Sequence, residues 1–482
     1  MDMKMSRTVH MGRWACAIWS RSRALRPQVL ARRRVQFVMR NKVRAANAAA
    51  WLLGGATFAI SGQALAADCP TGANTVFTSG SSAFKPVLLA VGAVLGSGTN
   101  IVYQSPGSCE GLDHVLGGTK DTSSPTSAVL ITGTTVGTCA IPAAGTTIDI
   151  GLSDVYAATC TATFDPNLPA VGSGTADFLG PVQAMTFAVP TASTENVISA
   201  DAAHMVFGFG ADTQAHSIMP WTIPGDIYVR FWDSGTLEML GQAISLPGGK
   251  WKNATTAAGG TVAQVVGGTG AMQTAITTSG GMAGHASSTI GILSTSGLKT
   301  GIKGLAFQGS DQTCSYYPDS TSTAADKINV RKGRYEIWGP EHMITNVDGS
   351  GKPVGENGNT AAVQTLINAL TSTSQALATQ SDAGAGDGGV TTLGETEVGQ
   401  IIAAISVPTT GFIPTCAMQV KRTSEIGAEA SYAPPAACSC AFEVATGMAV
   451  TGHTCTACTA ANAGTTCPSA TPACHFGYCE AE

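Results

Sequence analysis

Four stretches of the sequence share one pattern of apolar and polar positions. Each begins with a short apolar or β-branched run, passes through a turn containing glycine or serine, and usually leads into a helical repeat; they cover 75–95, 100–116, 147–154 and 226–244. After the first turn the apolar residues fall on one face of a helix, at Phe84, Val87, Leu88, Val91, Val94 and Leu95. Strands that alternate with helices predict an α/β fold on a mainly parallel sheet.

Further elements are expected along the rest of the chain. The stretch 181–190 predicts a strand that crosses between two lobes, and 198–210 predicts a short capped helix. Another strand is expected within 287–293 and another helix within 360–370. The glycine-rich stretch 381–389 predicts a linker, and its two aspartates leave calcium binding as a less favoured alternative.

The N-terminus has the pattern of a secretory signal. Residues 1–44 carry twelve of the 26 lysines and arginines and one acid, Asp2, and an apolar run with an A-x-A site at 64–66 follows. We therefore expect residues 1–66 to be removed on export, with Met39 as an alternative start. The mature chain is expected in the periplasm, at the cell surface or secreted.

The charge of the mature chain argues against polyanionic partners. Removal of 1–66 leaves 14 basic and 30 acidic residues, a net charge of about −16. Nucleic acid and anionic membrane surfaces are therefore not expected partners. No later apolar run reaches the ~18 residues of a membrane span, so a membrane-spanning chain is not expected. An anion site here would have to be local.

Cysteines concentrate at the C-terminus, where seven of the 14 lie within 438–482. In an exported chain such a cluster predicts a small disulfide-rich region. A zinc site that uses His453 and His475, or a redox pair at Cys455 and Cys458, is a less favoured alternative. No metal or other cofactor is predicted.

Arg230 is the one lysine or arginine between Lys120 and Lys250, and a Ser-Gly-Thr turn follows it. The first amides of a helix lack intrahelical partners and attract anions. Because the carboxyl ends of strands in an α/β sheet share one edge, the serine-bearing turns are expected to converge there with Arg230. Each turn taken alone is better explained by helix capping, whereas the four turns together with Arg230 favour an anion site.

In this order the segments 80–86, 103–108, 149–154 and 230–236 resemble the periplasmic phosphate-binding proteins of ABC transporters. The resemblance covers roughly 73–345. It implies a two-lobed fold of the type II periplasmic-binding-protein kind, with a hinge and closure over the ligand. The expected parts are lobe 1 at 67–187 and 300–350, lobe 2 at 188–299, a helical extension and linker at 351–437, and the cysteine-rich region at 438–482.

The same resemblance implies a role for each matching residue. Ser82 would supply a hydroxyl, Ala83 a backbone amide and Ser108 a group from the second loop. Asp154 would accept the proton of a monohydrogen oxyanion, Arg230 would give its guanidinium, and the helix start after it would give donors at Ser234, Gly235 and Thr236. The chain departs from the family at Cys109, Glu110 and Trp232, and by an insertion of about 36 residues that contains Cys139.

These observations predict a solute-binding protein that captures phosphate or a similar tetrahedral oxyanion for ABC-type uptake, and not an enzyme. Whether a permease partner exists is left open. One alternative is a surface or secreted scaffold with a repurposed phosphate-binding fold. A remote alternative is a serine acyl-transfer enzyme, because Ser82 and Lys85 form S-x-x-K, Ser153 and Asp154 begin an S-D-N-like triplet, and 299–301 is K-T-G.

Overall fold

The computed structural model describes residues 67–122, 128–172, 174–252, 265–374, 393–447, 454–459, 461–471 and 473–480. Residues 65–482 form one compact unit. None of the helices in these ranges has the length and apolar character needed to cross a bilayer. The predicted signal at 1–66 and the linker at 381–389 lie outside the described residues.

The described helices and strands alternate along much of the chain. The helices are α1 Lys85–Leu95, α2 Ser108–Leu116, α3 Ala157–Thr163, α4 Ala200–Phe209, α5 Gly235–Ala243, α6 Thr269–Gly280, α7 Ile328–Arg331, α8 Thr360–Thr371, α9 Glu395–Ser406, α10 Ser439–Thr446 and α11 Ala463–Thr466. The strands are β1 Thr75–Gly80, β2 Asn100–Gln104, β3 Ala128–Thr132, β4 Thr135–Cys139, β5 Ile150–Ser153, β6 Thr175–Pro190, β7 Val197–Ser199, β8 Val229–Arg230, β9 Val265–Val266, β10 Gly291–Ser294, β11 Ile302–Gly304, β12 Ala306–Gln308, β13 Trp338–Asn346, β14 Val420–Lys421, β15 Ala430–Ser431, β16 Ala473–His475 and β17 Tyr478–Glu480.

The largest sheet has the strand order β10-β6-β13-β5-β1-β2-β3-β4, and β11 also pairs with β6. β1 runs parallel to β2 and to β5, whereas the flanking strands β3, β4, β6, β10 and β13 pair antiparallel. The predicted α/β class is confirmed, but the expectation of a mainly parallel sheet is wrong. The parallel part consists of β1, β2 and β5, the strands of the first three strand-turn units. The hairpin β3–β4 pairs antiparallel beside β2, and β13 pairs antiparallel beside β5.

The 16-residue strand β6 connects two sets of partners. Its first part, Thr175 to Ala184, pairs with β13, and its second part, Met185 to Pro190, pairs with β10 and β11. Phe187 on the second part stacks on Phe207 of α4 at 5.4 Å between ring centroids. The strand predicted at 181–190 is confirmed, whereas its crossing between two lobes stays a prediction. The residue boundaries of the lobes stay a prediction.

Helix α1 packs on the face that its apolar periodicity predicted. Val87, Leu88 and Val91 of α1 are fully buried and face a core shared with β1, β2, α8 and α9. Helices α8 and α9 of the extension therefore complete the core beneath α1.

Helix α4 begins after Ser199, whose Oγ accepts a hydrogen bond from the amide of Ala202 at 3.1 Å. The capped helix predicted at 198–210 is therefore present.

Disulfides hold the insertion and the C-terminal region. Cys69 is bonded to Cys139 at the end of the inserted hairpin β3–β4, and Cys109 on α2 is bonded to Cys160 on α3. The C-terminal pairs are Cys416–Cys438, Cys440–Cys455, Cys458–Cys474 and Cys467–Cys479. The disulfide-rich region is confirmed. The redox alternative is wrong, because Cys455 is bonded to Cys440 and Cys458 to Cys474. The zinc alternative loses these thiols as ligands, and its His453 lies outside the described residues.

Candidate functional site

Asp154 lies where the loops after β1, β2 and β5 meet, and it is 3% exposed. The hydroxyl of Ser81 donates to its Oδ1, and that of Ser108 donates to its Oδ2 at 3.4 Å. A Cβ at Gly80 would stand 1.9 Å from the carbonyl oxygen of Leu152, so only glycine lets the first loop leave β1 so close to β5. The three loops therefore form one polar floor around this carboxylate.

Burial raises the pKa of the Asp154 carboxyl above its ordinary value, while the Ser81 hydroxyl and the Arg230 charge lower it. Its hydrogen bonds leave the carboxylate with further acceptor capacity, because an ionised carboxylate offers about four lone-pair sites. Asp154 can therefore accept a further hydrogen bond from a protonated group of a ligand.

Arg230 ends β8, which pairs with β9 outside the largest sheet, and is 4% exposed. We call the predicted ligand space between Arg230 and the floor around Asp154 the cleft. Its Nη2 donates to the hydroxyl of Ser82 at 3.4 Å. Its Nε is buried and has no hydrogen-bond partner within the described residues. Burial lowers the pKa of the guanidinium, and the charges of Asp233 and Asp154 counteract this. The cation is thus held by nearby negative charge, with donor capacity left over.

Helix α5 begins directly against the floor of the cleft. A Cβ at Gly235 would lie 2.5 Å from the hydroxyl oxygen of Ser108 and 2.9 Å from the Cβ of Asp154, so the close approach requires glycine. Ser234 stands at the N-cap without a side-chain capping bond, and both it and Thr236 are buried. The helix-terminal amides, which lack intrahelical partners, therefore start next to Asp154.

Direct contacts cross the cleft between segments predicted to belong to opposite lobes. The amide of Cys109 donates to the carbonyl oxygen of Asp233 at 3.1 Å. The hydroxyl of Ser82 lies 3.1 Å from that of Thr269 and accepts from the Thr269 amide at 3.3 Å. The start of a further helix, α6, therefore also faces the cleft.

The structure brings Ser82 into contact with Arg230, and Ser108 into contact with Asp154 and Gly235. The charges of Arg230 and Asp154 interact, and Ser234 and Thr236 stand at the start of α5 beside Gly235. The amide of Ala83 donates to the Ser81 hydroxyl at 3.1 Å in this structure, and its role toward a ligand stays a prediction.

Sequence reasoning left three participants out of the candidate site. Ser81 binds Asp154, the carbonyl of Asp233 accepts from the second loop, and Thr269 meets Ser82. Gly267 and Gly268 before Thr269 form another glycine turn that leads into a helix, which was the available signal.

The departures from the family pattern have structural explanations. Cys109 is used in the disulfide to Cys160. Glu110 is half-buried, and burial, followed by the charge of Asp233, raises its pKa to about 7. Trp232 packs on Phe164 with 4.7 Å between ring centroids. None of these three side chains makes a described hydrogen bond to Arg230 or Asp154.

The acyl-transfer alternative gains no support from the geometry. The hydroxyl of Ser82 contacts Arg230 and Thr269, while the side chains of Lys85 and Lys299 are exposed. The hydroxyl of Ser153 donates to the carbonyl of Val155 at 2.7 Å. Within the described ranges, the groupings with metal-compatible spacing are Cys458/Cys467/Cys479 and Cys440/Glu443/Cys455, whose thiols form disulfides.

Comparison with known proteins finds similarity among solved structures. A Clostridium perfringens protein described as a phosphate ABC transporter substrate-binding protein, with bound phosphate, is 11% identical with a TM-score of 0.41, over 71% of this chain and 100% of that one. A phosphate-binding protein from Stenotrophomonas maltophilia is 14% identical with a TM-score of 0.37, over 70% and 90%. An ABC-type phosphate transport receptor from Vibrio cholerae is 14% identical with a TM-score of 0.34, over 57% and 88%.

No protein-family model matches the chain, and no curated protein does. At the low identities and TM-scores of the solved structures, the ligand has to be inferred from the site itself.

Proposed function

We propose that this chain is an exported solute-binding protein whose cleft captures phosphate or a similar tetrahedral oxyanion. The observation that carries the proposal is the buried Arg230 guanidinium with its unpartnered Nε, which contacts Ser82 where the start of α6 meets the loop before α1. The start of α5 lies against Ser108 and Asp154. Leaving a buried donor unsatisfied costs about 1–3 kcal/mol, and more for a charged group. An oxyanion would satisfy it and gain helix-terminal donors as well.

Asp154 supplies the proposed selectivity. Its carboxylate would accept a hydrogen bond from a protonated oxygen of hydrogen phosphate or hydrogen arsenate. Sulfate is fully ionised, so its oxygen would face that carboxylate without a proton between them. Sites that leave such a polar group unpaired discriminate strongly, by up to about 10⁴–10⁵. In this proposal Ser82, Ala83 and Ser108 line the floor, and Ser234, Gly235 and Thr236 provide the opposing helix start.

Uptake through an ABC permease is the proposed context, with the chain outside the cytoplasm. The disulfides of the described residues suit an oxidising compartment. The similar solved structures from Clostridium perfringens and Vibrio cholerae are described as belonging to phosphate transport. Co-purification with a permease encoded beside this chain would test that context separately from ligand binding.

A second candidate is a surface scaffold whose cleft no longer takes an anion. Its support is the number of acidic groups around the single cation, since Asp154, Asp233 and Glu341 are all buried nearby. Three carboxyls beside one guanidinium would repel a dianion if all were ionised. This candidate predicts a folded protein that binds no oxyanion.

Titration calorimetry of the mature chain with phosphate and sulfate tests the proposal. We expect phosphate to bind, sulfate to give no heat, and Arg230→Ala to lose phosphate binding by at least about a hundredfold, because charged hydrogen bonds contribute about 1.5–3 kcal/mol each. The control is Arg334→Ala, which removes an exposed charge outside the cleft. Phosphate binding that survives in Arg230→Ala would contradict the proposed site.

A further inference from the structure

Glu341 occupies the strand position next to Asp154. In the antiparallel pair of β13 and β5, His342 stands opposite Ser153, which places Glu341 opposite Asp154 at the end of β5. On its other side β13 pairs with β6, where the register shifts between Pro340 and His342. This irregularity sets Glu341 against Gly180, a position without a side chain, where a Cβ would lie 3.7 Å from that of Glu341. The glutamate is therefore enclosed by backbone on both neighbouring strands.

The carboxyl of Glu341 is buried beside that of Asp154. The residue is 1% exposed, and within the described residues its carboxyl oxygens have no hydrogen-bond partner besides the Asp154 carboxyl. The titratable groups that face it are Asp154, directly after β5, and Tyr103 on β2. The Tyr103 hydroxyl already donates to the carbonyl oxygen of Ser81 at 2.5 Å. The neighbouring His342 turns to Asp177 instead, at 2.7 Å.

An ionised Glu341 would be a second buried negative charge beside Asp154. Burial, reinforced by the charge of Asp154, holds the pKa of Glu341 well above its usual range. Two carboxylates that share a dry site cannot both ionise readily. The two side chains differ in their partners, because Asp154 accepts from the hydroxyls of Ser81 and Ser108. The proton of the pair therefore belongs on Glu341.

We propose that Glu341 is a specificity-determining residue of the cleft, whose carboxyl carries a proton directed at Asp154 and keeps the pair at one negative charge. This inference rests on the proposed function. With Glu341 protonated, the single charge of Asp154 accepts the proton of the bound oxyanion and Arg230 balances the remaining charge. With Glu341 ionised, two carboxylates would face a dianion.

Ionisation of Glu341 would therefore set an upper pH limit for oxyanion binding, and this limit would arise from the protein and not from the ligand. A folded-state pKa above the usual value means that the proton is present at low pH and is lost as pH rises through the raised value. Above it, phosphate affinity is expected to fall about tenfold per pH unit. In a cleft that contained only Arg230 and helix starts, phosphate affinity would not decline in this range.

Infrared spectroscopy of the ligand-free mature chain tests the proton directly. The wild-type spectrum at neutral pH should contain a protonated-carboxyl carbonyl band that is missing in Glu341→Gln and shifted in Asp154→Asn, where the hydrogen-bond partner changes. The Asp154→Asn shift keeps the test decisive if Glu341→Gln does not fold. An unchanged band in both variants would overturn the inference.

Calorimetry with inorganic phosphate from neutral to alkaline pH tests the role in specificity. Wild type should lose affinity with rising pH, while Glu341→Gln, which is neutral at every pH, should hold its neutral-pH affinity within a few-fold. The control Glu238→Gln changes another buried glutamate, whose pKa burial raises to about 8, and should follow the wild type. Parallel profiles for Glu341→Gln and wild type would overturn the role.

Absence of phosphate binding at every pH would defeat the proposed function and the specificity role together. The infrared band would then still decide whether Glu341 holds the proton.

Discussion

The guanidinium of Arg230 is buried while its Nε has no hydrogen-bond partner in the described part of the chain. A side chain with five donors in a planar fork suits an oxyanion with several acceptor oxygens. Its one described hydrogen bond, to Ser82, aligns the fork with the loop before α1. At the scale of single residues, the proposed function assigns attraction of the oxyanion to Arg230 and discrimination between oxyanions to Asp154.

Asp154→Asn is expected to shift the selectivity of the cleft from phosphate toward sulfate. An amide can donate a hydrogen bond, so it would suit a fully ionised oxygen better than a protonated one. We expect phosphate affinity to fall about tenfold to a hundredfold, consistent with about 1–3 kcal/mol for an unsatisfied group, and sulfate binding to become measurable by calorimetry. Asp177→Asn, on β6 beside His342, is the control. Sulfate binding that stays undetectable would count against the role of Asp154.

Strand-turn-helix units were the part of the fold that the sequence predicted best. Their apolar periodicity is local, so α1, α4 and α8 could be placed from residues such as Val87 and Leu88. The antiparallel pairing of β13 with β5 and β6 joins residues far apart in sequence, and no local pattern encodes it. For the same reason Glu341 and Thr269 escaped notice as neighbours of the cleft.

The disulfide Cys109–Cys160 ties α2, the helix after the second loop, to α3, the helix after β5. Both helices start close to Ser108 and Asp154, so this bond fixes the spacing of two parts of the floor. Its cysteines stand 51 residues apart in sequence, and the alternative pairings could not be separated from sequence alone.

Replacing both Cys109 and Cys160 with serine should destabilise the chain and weaken the cleft. Removal of a disulfide costs about 2–4 kcal/mol of unfolding free energy, which denaturant unfolding would report. Phosphate affinity should fall as well, because the floor loses its fixed spacing. The matched control replaces Cys69 and Cys139, which fasten the inserted hairpin. That pair should reduce stability but leave affinity unchanged; equal losses of affinity would contradict a local role for Cys109–Cys160.

At the scale of the whole molecule, a buried ion pair joins α10, at the start of the C-terminal disulfide-rich region, to α7. Arg331 donates to Glu443 at 3.2 Å and to the carbonyl oxygen of Ala417 at 2.9 Å, and it lies over the ring of Phe442. Both charged side chains are almost fully buried. The disulfide-rich region therefore packs against α7 through Phe442 and Glu443 of α10.

Arg331→Ala should be strongly destabilising because it removes the cation of a buried ion pair and leaves the Glu443 charge without that compensation. The expected loss is about 3–5 kcal/mol in unfolding free energy, measured by denaturant unfolding with disulfides intact. A double variant, Arg331→Met with Glu443→Leu, should recover much of that loss, since apolar replacements remove both charges. A single variant as stable as wild type would show that the ion pair does not hold this region.

The candidate residues and the starts of α5 and α6 lie close to Arg230 and Asp154. The most direct measurement is a crystal structure of the mature chain grown with arsenate, using the anomalous scattering of arsenic to locate the ion. We expect a single strong peak within hydrogen-bond distance of the Arg230 guanidinium and the start of α5. A peak elsewhere, or none in a crystal of the folded chain, would contradict oxyanion capture in this cleft.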